Sequence, residues 1–346
     1  MKKLLLGFSM TFVLAGAAFA QDVHFTQYFT SPLTLNPAMT GLIPEDLRFA
    51  ANYRSQWSAV SSTPYTTATA SFDMATFKNK LPEGDALGLG LVFEHDQSGT
   101  GSLTNTTAGL SLAYHKAFGH DRTQHLSIGV QGYFVQKSID FTKLTFYDMY
   151  NAGMNNFSGS TSVLFKSTAV SYMDFNGGIM YSGKVTDHTT AYIGYSYYHL
   201  TQPVESFIAD TYQIHSRSSL YLGGSFDMNE NAVLYVSGLY QEQASASEAI
   251  LGAAAGFVLN PGHDMEYQKH TIFYIGGFYR YGDAICPYIS LEWSKMRIGV
   301  SYDANVSGFT PATSGFGGYE ISLIYTGRIN KHERNPQYDW SCPKIF

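Results

Sequence analysis

Between residues 48 and 329 this chain is built in period two, and that pattern limits its folds more than any other feature. In "ALGLGLVFEH", Leu87, Leu89, Leu91 and Phe93 fall on one face, and Ala86, Gly88, Gly90 and Glu94 on the other. Phe49, Ala51, Tyr53 and Trp57 oppose Arg48, Asn52, Arg54 and Gln56, and Leu126, Ile128 and Val130 oppose Ser127, Gly129 and Gln131. Further on, Met296, Ile298, Val300 and Tyr302 oppose Arg297, Ser301 and Asp303, and Tyr319, Ile321, Leu323 and Tyr325 oppose Glu320, Ser322 and Thr326. Successive side chains of a strand point to opposite faces, so each stretch is a strand with one apolar face. A soluble sandwich alternates as well, with its polar face in water. Here the second faces are rich in Gly, Ala and Ser, which suit a crowded interior better than a solvated surface. Aromatic residues also gather near strand ends, as in "YYHL", "YRYGD" and "YQEQ".

Composition separates the two architectures. Charged residues are 14% of the chain, against roughly 25% in soluble domains. Aromatic residues are 15%, with 26 Tyr and 24 Phe. That balance fits an outer-membrane β-barrel, with apolar residues toward lipid and aromatic girdles at the interfaces. The alternation predicts about fourteen antiparallel strands, near 48–57, 64–74, 86–95, 103–117, 124–137, 170–184, 189–200, 213–227, 231–242, 248–259, 270–282, 284–294, 296–304 and 316–329. With both ends in the periplasm, the long connections 138–169, 201–212 and 305–315 all fall outside, and short turns such as 182–187 and 227–231 fall inside. Bacterial barrels have this asymmetry.

The first twenty residues have the form of a secretory signal. Lys2 and Lys3 are followed by an apolar run from Leu4 to Ala17 and by Ala18-Phe19-Ala20, which predicts cleavage after Ala20. The expected organisation is signal 1–20, an N-terminal hatch or strap 21–47, a barrel 48–329 and a tail 330–346, periplasmic or inserted into the lumen.

The net charge of -6 and the lack of a basic stripe argue against nucleic acid. No nucleophile elbow, zinc-protease, P-loop or C-x-x-C motif is present, so no catalytic residue or cofactor is expected. His263 and His270 lie beside Asp264 and Glu266 in a predicted turn, which reads as solvated rather than as a metal site. Strand phase turns a set of charges inward: Arg54, Glu94, Arg280, Glu292, Arg297, Asp303 and Glu320. Charges taken out of water need partners, so these are expected to form a lumen network, either filling the barrel or lining an aqueous path. The segment "FTQYFTSPLTLNPAMTG" is apolar, bent by Pro32 and Pro37, and neither helical nor strand-like in period. It is expected to fold into the barrel as a hatch through Phe25, Tyr28, Phe29, Leu33, Leu35, Asn36 and Pro37. An arginine at lipid-facing Leu89 is expected to block assembly, and a serine at lumen-facing Gly88 to be tolerated.

"QDVHFTQYFTSPLTLNPAMTG", "NYRSQW" and "PYTTATASFD" together resemble the N-terminal signature of the PorP/SprF-type membrane proteins of the type IX secretion system. The resemblance continues through "GLGLVFEHD", "SLAYHKAF" and "LSIGVQGYF" to "GGFYRYGDAICPYISLEWSKMRIGVSYDANVSGFTPATSGFGGYEISLIY" and the terminal "CPKIF". It implies an outer-membrane barrel embedded in lipid and without enzymatic activity. Such a barrel works with other type IX components in the secretion or surface attachment of large proteins bearing a C-terminal signal, adhesins among them. One branch of the family implies a periplasmic, peptidoglycan-associated partner. The family motifs look structural: Asn36, Pro37 and Gly41 for chain bending, Tyr53 and Trp57 for the interface. A FadL-like channel for small apolar solutes and an outer-membrane hydrolase are the competing functions.

Two cysteines complete the inventory. Cys286 is expected inside the lumen near the outer end of its strand, and Cys342 lies in the tail beyond the last strand. They start roughly 30 Å apart, and an extended tail reaches about 40 Å. A disulfide therefore requires the tail to thread up the lumen; otherwise both thiols stay free.

Overall fold

The computed structural model describes residues 22–78, 80–119, 121–208, 211–259 and 271–329. The expected signal 1–20, the tail 330–346 with Cys342, and the turn with His263, Asp264, Glu266 and His270 lie outside the described residues. Fourteen long strands close into one antiparallel barrel. They are β1 (Leu47–Gln56), β2 (Tyr65–Thr76), β3 (Ala86–Ser98), β4 (Leu103–Phe118), β5 (Gln124–Ser138), β6 (Ala169–Thr186) and β7 (Thr189–Tyr198). The second half comprises β8 (Arg217–Asn229), β9 (Ala232–Gln243), β10 (Ala246–Val258), β11 (Thr271–Arg280), β12 (Ala284–Trp293), β13 (Met296–Asn305) and β14 (Phe316–Gly327). Each strand pairs with its neighbours in sequence, and β14 closes on β1 in an unbroken register from Leu47↔Gly327 to Gln56↔Gly318. Closure leaves no sheet edge, which is what a strand protein needs in lipid.

The two faces of the wall separate as the alternation requires. Leu89, Leu91, Phe93, Leu110, Ile128, Val130, Ile298, Val300 and Ile321 are exposed on the outer surface. Asn52, Thr69, Ser71, Ser111, Ser127, Gln131, Ser301 and Ser322 on the same strands are buried in the interior. Tyr53 and Tyr319 pair on the exterior at 6.2 Å between ring centroids. Trp57 takes a positive φ just past β1 and packs against Tyr65 and Phe309.

Two connections on one side dwarf the rest. The 139–168 and 199–216 loops pack on each other through Phe141, edge-on to Phe207 at 6.5 Å between ring centroids, and through the Lys166 N–H, which donates to the Phe207 carbonyl. The opposite side carries tight turns after β6, β8 and β12. The long-loop side is therefore the outer end. Two of the boundaries that differ from the sequence expectation have a local cause. β7 stops at Tyr198 rather than at 200, because His199 turns left-handed with φ +57°. β8 starts at Arg217 rather than at 213, because Tyr212–Gln213 pairs instead with Val204–Glu205.

Gly88 corrects another expectation. A Cβ there would lie 1.8 Å from the Thr40 carbonyl oxygen, because the lumen beside it is occupied by backbone. Serine is therefore not tolerated at that position with the interior intact. Leu89→Arg should cost about 2–4 kcal/mol at the lipid face and abolish the heat-modifiable folded band on a gel. Gly88→Ser should keep the folded band but make residues 22–43 susceptible to protease. Equal behaviour of the two variants in both assays would contradict this wall.

Candidate functional site in the barrel lumen

The site is the lumen, and what fills it is the chain's own N-terminal segment. Asp22 meets the ends of β7, β8 and β9 at the outer mouth. Asp46 is bonded to Gly327 at the inner end. The strap between them threads the barrel from its outer mouth to its inner rim.

Its local shape follows from its sequence. Pro32 starts a single helical turn, Pro32–Leu35, and Pro37 starts a second, tighter turn, Pro37–Met39. Proline supplies the fixed φ of a first helical position and lacks the N–H that would go unsatisfied there. Asn36 caps the second turn by accepting from the Ala38 N–H at 2.8 Å. Its side-chain amide donates to the carbonyls of Ile179 and Tyr195 at 3.1 Å each. Gly41 takes φ +71° and turns the chain toward β1.

The wall is shaped to receive this segment. Gly88, Gly129 and Gly178 face Thr40, the Pro37–Ala38 backbone and Asn36; a Cβ on any of them would come within 2.5 Å of those atoms. Tyr28 and Phe29 engage the other half of the barrel, whereas Leu33 packs with Val92 and Tyr133 on β3 and β5. Phe25, Tyr28, Phe29, Leu33 and Leu35 are all buried. Phe29 stacks on Phe278 at 5.5 Å and meets Tyr288 edge-on at 5.8 Å. The Tyr28 hydroxyl is 2.6 Å from Ser237 Oγ. Burying each large side chain is worth roughly 1.5–3 kcal/mol.

The seven inward charges fall into three groups rather than one network: two toward the outer end, on different strands, and one at the inner end. Arg54, Arg280, Asp303 and Glu320 gather near the outer end. Asp303 accepts from Arg54 at 2.8 Å and Arg280 at 3.0 Å, and Glu320 lies 3.3 Å from Arg54. Glu248 joins them, 2.9 Å from Arg280. This group grips the strap directly. Glu320 accepts the Thr26 and Gln27 N–H groups at 2.6 and 2.9 Å, and the Thr26 hydroxyl donates to Asp303 at 2.9 Å.

Glu94 stands apart from that group, in a polar recess lined by Asp22, His199, Arg217 and Lys137. Glu292 and Arg297 form the third group at the inner end, paired at 2.5 Å, with the Arg297 guanidinium 4.7 Å over the Tyr274 ring. Cys286 is buried near the outer end, its sulfur 4.0 Å from the Thr26 hydroxyl.

Several gripping residues escaped the sequence reading. At the inner end Asp73 accepts from Arg48 at 2.7 Å and from the Gly41 N–H at 2.7 Å. His115 Nε2 lies 2.7 Å from the Thr40 carbonyl. At the outer mouth, Asp22 is 2.7 Å from His199 Nε2 and 3.4 Å from Arg217, and Asp174 holds His199 Nδ1 at 2.8 Å. Strand phase would have found Arg48, Asp73 and Arg217. It could not have found His199, whose positive φ lies outside the alternation. Burial disfavours the charged His199 imidazole, but Asp22 and Asp174 outweigh it and the pKa is pushed up to about 9. Burial alone would raise the Asp22 carboxyl; His199 and Arg217 hold it well below the usual range.

Among the described residues no group of His, Cys, Asp and Glu could hold a metal ion. What these residues define is an outer-membrane-type β-barrel whose interior is bonded to its own N-terminal strap. The sequence matches the family described as type IX secretion system membrane protein PorP/SprF over residues 17–325. The chain belongs to that family.

No curated protein matches the sequence. Solved structures share the fold. The toluene transporter TbuX of Ralstonia pickettii aligns with 13% identity and TM-score 0.50, over 87% of this chain and 94% of its own. The toluene transporter TodX of P. putida aligns with 12% identity and TM-score 0.48, over 86% and 93%. A Pseudomonas aeruginosa FadL homologue aligns with 13% identity and TM-score 0.47, over 84% and 92%. At such identities the TbuX likeness shows architecture and nothing about what passes through or binds.

The outer clip has a definite pH window. The His199 pKa lies above its ordinary 6.5, so its contribution is complete below that value and is lost as pH rises through about 9. The Asp22 pKa lies below its ordinary 3.8, so its contribution is present above that value and is lost on acidification. Limited proteolysis of the purified protein should cut residues 22–43 faster as pH rises through about 9. The His199→Asn variant should be cut faster throughout and show no step near that pH. A step of the same size in the variant would assign the transition to another group.

Proposed function

We propose that this barrel is a non-enzymatic accessory of type IX secretion that supports the export or surface attachment of large proteins carrying a C-terminal signal. Membership of the PorP/SprF family supplies the system. The observation that carries the accessory role is the filled lumen: backbone and aromatic side chains of the strap occupy the space a solute would need. A barrel sealed in this way acts through the surfaces it presents. The outer loops offer one, with Tyr147, Met154 and Leu164 strongly exposed above the wall. Loops on a rigid scaffold commonly carry the contacts that choose a partner. Association with other secretion components follows from the system, and a periplasmic peptidoglycan-associated partner fits the inner face.

The apolar-solute channel has only the shared architecture in its favour. Removing residues 22–41 from the mature chain separates the readings. The truncated barrel should conduct ions in a planar bilayer where the full chain does not. If both are equally silent, the strap is not what seals the lumen; if both conduct, the channel reading gains.

Deleting the gene should remove one or a few large C-terminal-signal proteins from the cell surface while other type IX cargo still appears. Quantitative surface proteomics of the deletion strain and its complemented parent measures this. An unchanged surface proteome would overturn the accessory role.

A further inference from the structure

The strap does not fill the barrel evenly. Its inner part turns toward β1–β6, where the Pro37–Met39 turn lies against β4, β5 and β6 and Gly41 is held by Asp73 on β2. Among the described residues, the inner ends of β7–β11 line a vestibule of 1320 Å³. Small-molecule pockets run to roughly 300–1,000 Å³, so this space is larger than a single small solute needs.

Its lining has two parts. Inward-facing Val233 and Tyr235 of β9, Val258 of β10 and Ile272 of β11 form an apolar patch. His188, Thr190, Ser225, Asn229 and Asn231 make the rest polar, and the carboxylates of Asp227 and Glu230 are exposed at the rim. Among the described residues lining it there is no Lys or Arg, although Lys184 lies near enough to Asp227 to feel its charge. The nearby Arg297 is already committed to Glu292 and to the face of Tyr274. An apolar patch beside an acidic rim is complementary to a chain with alternating apolar and cationic side chains.

We infer that this vestibule is a docking site for an extended polypeptide segment rich in aliphatic and basic residues, supplied by a partner on the inner side of the membrane. The segment's apolar side chains lie on Val233, Val258 and Ile272, and its cations reach Asp227 and Glu230. The inference rests on the accessory reading for the idea that the barrel works through its surfaces, and it adds where and with what chemistry the inner surface binds. Rim charges set the on-rate and salt dependence, while the buried apolar contacts set residence.

The test uses the purified full-length protein in detergent and a fluorescein-labelled synthetic peptide of roughly ten residues alternating Lys and Val, followed by anisotropy. Binding should weaken as salt is raised. It should fall by about tenfold or more in Asp227→Asn/Glu230→Gln, and should also fall in Val233→Ser/Ile272→Ser. Asp187→Asn, at the adjoining turn and outside the vestibule lining, should change little. A retained heat-modifiable band shows that each variant folds. The inference is overturned if a Glu–Val peptide binds as well, if a Lys–Ser peptide binds as well, or if neither double variant weakens binding. Because the readout is binding in vitro, its failure leaves the surface-proteome result untouched, and the reverse also holds.

Discussion

The closing seam of the barrel and the seating of the strap share a single carboxylate. Arg54 on β1 and Glu320 on β14 stand directly opposite each other in the register that closes the sheet. Both are buried. Glu320 also accepts the backbone N–H groups of Thr26 and Gln27. Burying a carboxylate is costly unless charge and hydrogen bonds replace its water. Arg54 supplies the charge and the strap supplies the hydrogen bonds. Removing either leaves the other with a buried, half-satisfied ion. Wall and strap are therefore energetically coupled at this carboxylate, although they are distinct segments of sequence.

The apolar side of the lumen works by shape. Phe29 fits between Phe278 and Tyr288 on β11 and β12, while across the barrel the strap's backbone presses onto glycines of β3, β5 and β6. Bulk on one wall and its absence on the other place the strap off the barrel axis. Among the described residues, that asymmetry leaves the vestibule at the inner ends of β7–β11. A symmetric lining of medium-sized residues would have centred the strap and left no inner cavity of comparable size.

The wall was legible in the sequence because alternation is a local property, repeated in every strand and reinforced by the demand that one face meet lipid. Strand number, order and facing follow from it, and β1, β3 and β5 lie within a few residues of their expected limits. Which charges meet was not legible. Strand phase says that Glu94, Arg297 and Arg54 point inward, but pairing depends on height along the barrel, which is set by register and tilt across many strands. Glu94 and Arg54 point into the same lumen from strands two apart, yet Arg54 pairs across the seam with Asp303 and Glu320 instead. His199 was illegible for another reason. Phase continued past Tyr198 would turn it toward lipid, and only its left-handed backbone swings it back to Asp22 and Asp174. The Gly88 expectation failed because an inward face rich in small residues can mean an empty lumen or one shaped around a guest. Alternation does not distinguish these, whereas the bent, apolar 25–41 stretch pointed to a guest.

The two ends of the strap are held by different physics, and this bears on how a sealed barrel could serve secretion. The inner end is locked by close backbone packing, with Thr40 and Gly41 against Gly88 and with Asp73 bonded to both Gly41 and Arg48. The close backbone approach depends on glycine having no side chain. At the outer end, ion pairs of Asp22 with His199 and Arg217 lie above the buried Arg54, Asp303 and Glu320 group that grips Thr26 and Gln27. Ion pairs near a surface are weakened by salt, by competing charges and by partners that contact the same groups. A ligand arriving from outside therefore meets the Asp22 clip first, and one arriving from inside meets the backbone packing at Thr40 and Gly41.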